Sequence, residues 1–128
     1  YLSWVVPRTP LLTSHAGAIA AVSVVRAITA CGVRNCRIRF PNDILYKTRK
    51  IAGVLIEVAG DRLVCGAGIN VNNVVPRTIA VSLCDILRRR VDPDMVLERF
   101  AEEFASLRDG LATDVQGVVR EWAFLLLK

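Results

Sequence analysis

Between Arg8 and Arg26 the chain runs for seventeen residues, Thr9 to Val25, without a single charge. Thr13 or Ser14 can cap a helix that runs from there to about Ala30, with Gly32 as its stop. A helix that is apolar all round, with Arg26 as its one charge, needs cover on both sides. The stretch falls short of the roughly 20 mainly apolar residues of a membrane span, and Pro10, Thr13, Ser14 and His15 interrupt it. It also lacks the basic start and small-residue cleavage site of a signal peptide. The reading is therefore a buried helix of a soluble protein with no membrane partner, and the cytoplasm is its default place. On this reading His15 is a helix-start or packing residue.

A core around such a helix is within reach: 128 residues with 53% hydrophobic side chains allow one well-packed domain. The four cysteines, Cys31, Cys36, Cys65 and Cys84, form no CxxC pair, and none is close in sequence to the single histidine. They read as reduced thiols rather than as a zinc site or a disulfide frame. The chain opens at Tyr1 inside an apolar, strand-like run and closes on Leu125-Leu126-Leu127-Lys128. Chain ends are more often polar and frayed, so the expectation is a fragment of a longer protein.

The pattern predicts strands over residues 1–6, 35–40, 44–47, 50–58 and 62–71, the last four as an antiparallel meander. It predicts further helices over about 79–89, 93–111 and 113–126, with Met95, Leu97, Phe100, Phe104 and Leu107 as a core-facing stripe. The expected architecture is α+β: a mainly antiparallel mixed sheet with the 14–31 helix and the C-terminal helices packed on one face, leaving the other for ligand. Residues 1–64 hold nine basic and three acidic side chains, and the excess gathers in the meander at Arg34, Arg37, Arg39, Lys47, Arg49 and Lys50. Such a patch attracts phosphates, carboxylates or nucleic acid.

Three segments carry chemistry. In Arg39-Phe40-Pro41-Asn42-Asp43, a carboxylate after a turn can serve Mg²⁺ whose other ligands are phosphates and water, or it is simply turn chemistry. In Lys50-Ile51-Ala52-Gly53-Val54-Leu55-Ile56-Glu57, one lysine opens an apolar strand, and Gly53 marks either a bulge or a close ligand approach. In Gly66-Ala67-Gly68-Ile69-Asn70-Val71-Asn72, two glycines weaken a strand, for close ligand approach or for twist, and Asn70 offers a donor and an acceptor to an adenine edge or a phosphate. No GxGxxG is present, so this is not a dinucleotide fingerprint.

Together, in this order and spacing, the three segments resemble the catalytic domain of biotin–protein ligases. That family shows a Lys-Trp-Pro-Asn-Asp turn, a Lys-hydrophobic-Ala-Gly-hydrophobic-Leu-hydrophobic-Glu strand and a Gly-x-Gly-Ile-Asn-x-Asn strand. Ala80-Val81-Ser82-Leu83 is similar to its Ala-Thr-Ser-Leu segment, and Tyr1-Leu2-Ser3 to its opening strand. Arg39, Phe40 and Val81 stand where the family has Lys, Trp and Thr. The resemblance implies the α+β fold shared with class II tRNA synthetases and a partial catalytic domain over residues 1–128 with no second domain. The family's Gly-Arg-Gly-Arg loop would lie upstream and its small barrel domain downstream.

What the resemblance implies chemically is ATP-dependent activation of biotin to biotinyl-5′-AMP. Transfer to a lysine of a biotin carboxyl carrier protein, or of a carboxylase's biotin domain, would follow. Biotin and ATP are then the substrates and Mg²⁺ the metal. By resemblance Lys50 is catalytic and biotin-binding, with Gly53, Leu55, Gly66 and Gly68 lining the biotin slot. Arg39, Asn42, Asp43 and Asn70 serve ATP or the adenylate, Asp43 also the Mg²⁺. A homodimer joined through sheet edges is expected, and no specific nucleic acid. The alternatives are a lipoate–protein ligase or octanoyl transferase, a non-catalytic basic module that binds polyanions, and a degenerate fragment without function. Scarce aromatic interleaving (only Phe40 and Tyr46 lie near the basic meander) argues against single-strand nucleic-acid binding.

Overall fold

A computed structural model describes all 128 residues. Five strands, β1 (Leu2–Pro7), β2 (Cys36–Arg39), β3 (Asp43–Tyr46), β4 (Arg49–Ala59) and β5 (Arg62–Ile69), form one antiparallel sheet in the order β1-β5-β4-β3-β2. The meander is as expected, and β1 closes its far side by pairing with β5. Alternation sets the two faces. On β5, Leu63, Cys65 and Ala67 are buried on one side, while Gly66 and Gly68 face the other.

The apolar stretch forms α1 (Pro10–Ala30), which starts before Thr13. Thr9 is the cap: its Oγ1 accepts a 3.1 Å hydrogen bond from the Leu12 N–H, and Pro10 occupies the first turn, where its missing N–H costs nothing. The Thr13 and Ser14 hydroxyls instead donate to the carbonyls of Thr9 and Pro10. His15 stays within the helix, with Nδ1 2.8 Å from the Leu11 carbonyl oxygen. At 21 residues, α1 is longer than the sequence pattern suggests, and its length and composition would suffice to cross a membrane. Here the sheet covers one side of it. Helices α3 (Pro93–Gly110) and α4 (Val115–Leu125) cover the other. The helices thus lie on one face of the sheet, as expected, and the C-terminal ones reach it mainly through α1, making three layers.

Two further expectations change. The predicted helix over 79–89 shortens to α2 (Leu83–Leu87), because the Ser82 hydroxyl accepts from the Asp85 N–H and starts the helix there. Residues 77–79 form a turn, and Ala80 bridges to Lys50. On α3 the buried stripe is Val96, Phe100, Phe104 and Leu107, whereas Met95 and Leu97 are exposed. A spacing of four, four and three residues lies on one helix face, and Met95 and Leu97 fall to either side of it. Phe100 and Phe104 are fully buried in the core cluster, and truncating either to Ala is expected to cost about 3–5 kcal/mol.

Candidate active site

The open face of the sheet holds a groove of about 780 Å³. Its floor is nearly bare backbone. Gly53 on β4 pairs directly with Gly68 on β5, and Gly66 lies between Leu55 on one side and Ser3 on the other. A Cβ at Gly68 would come within 2.9 Å of the Tyr1 ring, so a side chain there would have to push that exposed ring aside. At Gly66 a Cβ would meet nothing closer than 3.6 Å, so nothing within the protein itself demands glycine there.

Strand alternation alone would put Lys50 on the same face as Ala52 and Val54, in the core. A β-bulge prevents this. Ile44 pairs with Ala52 but Leu45 pairs with Lys50, so Ile51 is an extra residue opposite one step of β3. Ile51 and Ala52 are both buried in the core, and Lys50 is turned to the groove with Gly53 and Leu55. The bulge therefore lies at Ile51 and not at Gly53. The Lys50 side chain then crosses above Gly53, where a Cβ would stand 3.2 Å from both its Cε and its Nζ.

Asp43, opposite Gly53 on β3, collects the positive charge. Lys50 Nζ lies 2.7 Å from its Oδ1, and Arg39 Nη2 donates to its Oδ2 at 2.6 Å. Partial burial pushes the Asp43 carboxyl up, but the hydrogen bonds and charges of Lys50 and Arg39 outweigh this and hold it below the ordinary carboxylate range. One anion between two cations leaves the cluster with a net positive charge facing the groove. A carboxylate whose two oxygens are both taken is a poor resident metal ligand, and no group of three or more His, Cys, Asp or Glu side chains gathers anywhere in the chain.

The sequence candidates thus converge. Lys50, Gly53, Leu55, Gly66, Gly68 and Asn70 line this one groove, as do Asn42 and Asp43. Arg39 does not line it and reaches it only through Asp43. Asn70 lines the groove, but its amide is engaged: Nδ2 lies 3.4 Å from the Lys50 carbonyl oxygen and 3.3 Å from that of Val81, and Oδ1 accepts from Asn73. Sequence reasoning missed Asn73 and the walls supplied by Tyr1, Leu2 and Ser3, which the pairing of β1 with β5 brings to the glycines. The four cysteines are free thiols, and burial pushes that of Cys36 up to about 11.

The model of the biotin/lipoate A/B protein ligase family matches residues 6–72, over half of the chain and all of the groove but its Tyr1–Ser3 wall and Asn73. The chain belongs to this family. Among relatives in the biotin/lipoate ligase family, the bifunctional ligase/repressor BirA of Bacillus spizizenii is 32% identical over 102 residues, which is 71% of this chain and 30% of that protein. The chain spans about a quarter to a third of the length of the curated relatives it matches. The fold is that of the biotin protein ligase of Leishmania major solved with biotin (TM-score 0.84, 19% identity, 98% of this chain and 60% of that one). It is also that of the Aquifex aeolicus enzyme solved with biotin and ATP (TM-score 0.74, 24% identity, 85% and 49%).

Proposed function

We propose that this chain is the ligand-binding core of a biotin–protein ligase, which activates biotin with ATP and transfers it to a lysine of a biotin carrier protein. The observation that carries the reading is the surplus cation, Lys50, held over a glycine floor at the end of a groove. The first step joins two anions. A biotin carboxylate oxygen attacks the α-phosphorus of ATP, the bond to the β-phosphate breaks, and pyrophosphate leaves with its electron pair. A cation placed between carboxylate and phosphate acts most strongly as charge develops there. Lys50 takes that role, moving from Asp43 to the incoming anions, while Asp43 and Arg39 keep the pocket's charge ordered. The flat ring system lies on Gly53, Gly66 and Gly68, with Leu55 as an apolar wall, and Asn42 faces the nucleotide. In the second step the carrier's amine attacks the mixed anhydride carbon, an amide forms, AMP leaves and the amine loses a proton. Positioning supplies much of the rate of such steps.

Mg²⁺ enters on this reading as the counter-ion of the ATP phosphates, and Asp43 joins it only where Lys50 or Arg39 has released an oxygen. The cytoplasm, with its ATP and reduced thiols, is the matching compartment. The family also includes lipoate ligases, and the test separates the two. Calorimetry with a non-hydrolysable biotinyl-5′-AMP analogue is expected to show binding that Lys50→Ala weakens and that exceeds binding of a lipoyl-5′-AMP analogue. Preference for the lipoyl compound would overturn the biotin assignment. Binding of any polyanion equally well, lost with salt, would replace it with a charge-only module.

A further inference from the structure

We propose that Ile51 is the positioning residue for Lys50: the burial of its side chain selects the bulged register that turns the lysine into the groove. The inference rests on the function proposed above for Lys50, while the register it concerns exists without any ligand. Directly paired residues of neighbouring strands share a face. Lys50 pairs with Leu45, and Arg49, one residue nearer the turn, pairs with Tyr46, which packs against the core. Arg49 is therefore the cation on the core face and Lys50 the one over the groove. Ala52 pairs with Ile44, the next residue of β3, so Ile51 has no partner there.

A second register is open to the same sequence. If β4 before Ala52 slips by one residue, Ile51 pairs with Leu45 and Lys50 with Tyr46. The bulge then disappears and the strand alternates regularly. The hairpin does not oppose this slip. Its turn would grow from Lys47 and Thr48 to include Arg49, and hairpins use both lengths. Nor does the lysine oppose it strongly. Lys50 would take the place of Arg49, a long cation already half-buried beside Tyr46 at the end of the sheet. The large penalty falls on Ile51, which is 0% exposed in the core and would move to the open face. That burial selects the bulged register, and with it the cation in the groove. The slipped register would put an isoleucine side chain where the lysine now stands. The role asks only for a large apolar side chain at residue 51, so in sequence the segment reads as plain strand.

The intact chain gives the first check. Its only lysines are Lys47, Lys50 and Lys128, so isotopic labelling of lysine lets NMR follow the Lys50 side chain. Cross-strand contacts should run from Lys50 to Leu45, and its Cε protons should lie close to Gly53. Pairing of Lys50 with Tyr46 in the parent would overturn the proposal. Ile51→Thr keeps a β-branched shape but puts a hydroxyl into the core. It should move the Lys50 contacts from Leu45 and Gly53 to Tyr46. In protein competent for adenylation it should lower kcat roughly tenfold or more, since an ångström of misplacement can cost about a hundredfold. Ile51→Val, the conservative variant, should restore both contacts and kcat. Deletion of Ile51 decides between register and stability. It removes more of the core than Ile51→Thr and should melt lower, yet it leaves Lys50 paired with Leu45 in a strand without a bulge, facing the groove. Its turnover per folded molecule should therefore exceed that of Ile51→Thr severalfold. Turnover that follows melting point across the series would overturn the proposal and make Ile51 an ordinary core residue. An Ile51→Thr protein with parental contacts and kcat would overturn it too. Should Ile51→Thr fail to fold, Ile51→Ala takes its place in the same comparison. Absence of biotin-dependent turnover in the intact protein would fail the functional reading, while the contacts of Lys50 would still decide the register.

Discussion

Arg26 lies between two acids, Glu103 and Glu121, whereas Asp43 lies between two bases, Arg39 and Lys50. The first joins elements distant in sequence and the second joins neighbouring strands, and both are partly buried. The difference is in their balance. Arg99 also pairs with Glu103, at 2.8 Å, so the helical cluster holds two cations and two anions and is neutral. The sheet cluster holds two cations and one anion. In the first, every charge has its partner within the protein, and the hydrogen bonds to Glu121 and Glu103 hold the Arg26 guanidinium even more firmly protonated than usual, despite its partial burial. In the second, two positive charges share one carboxylate, and Lys50 faces a groove. A closed network fastens α1 to α3 and α4; the open one leaves a net positive charge beside the groove.

The sharpest way to break this contrast is to remove the surplus charge. Lys50→Ala should leave the fold within about 1 kcal/mol of the parent, because the side chain is half exposed and exposed pairs contribute little. Adenylate formation by the complete protein should fall about 10²–10³-fold, the usual effect of deleting one charge-stabilising group. Turnover and denaturant midpoints measured on the same preparation decide it. A variant that loses stability but keeps turnover would put Lys50 in the same structural class as Arg26.

The converse change is Arg26→Met, which keeps an apolar stem against the helices and removes the charge. Glu121 then loses its cation, and Glu103, with its side chain only 13% exposed, keeps Arg99 alone. Stability should drop by roughly 1–3 kcal/mol, the cost of leaving a partly buried charged group short of partners. Ligand binding by the folded fraction should be unaffected. A loss of binding at unchanged stability would show that the two clusters communicate through the sheet and are not separate devices.

The two clusters were not equally legible in the sequence. Asp43 and Lys50 sit in short segments whose pattern is distinctive, and the glycines of β5 stand out because a strand interior gains nothing from them. Arg26 stood out as the one charge in an apolar helix, but its partners lie 77 and 95 residues away, and only the packing of α3 and α4 onto α1 brings them together. The bulge at Ile51 was illegible for a different reason. Residue type does not encode it: Ile51 is an ordinary strand residue, and the register shift shows only in how β3 pairs with β4. Asn70 was legible as a polar residue in an unusual place, yet its bonds run to backbone groups, which no side-chain pattern announces.

Acid provides the finest test of the comparison. The carboxyl of Asp43 titrates lower in the folded chain than in the unfolded one, so its contribution to stability is fully present above the ordinary aspartate range, about pH 4, and disappears as pH falls through its lowered folded value. The effect should be no more than about 1 kcal/mol, since Arg39 and Lys50 are well exposed. Asp43→Asn should remove that part of the acid slope and leave the rest of the unfolding curve unchanged. It should also raise the local charge from one surplus cation to two, so that pyrophosphate binding at neutral pH becomes tighter and more salt-dependent. Unchanged pyrophosphate affinity would mean that the groove does not sense Asp43, and that the pairing with Lys50 is a surface ion pair and nothing more.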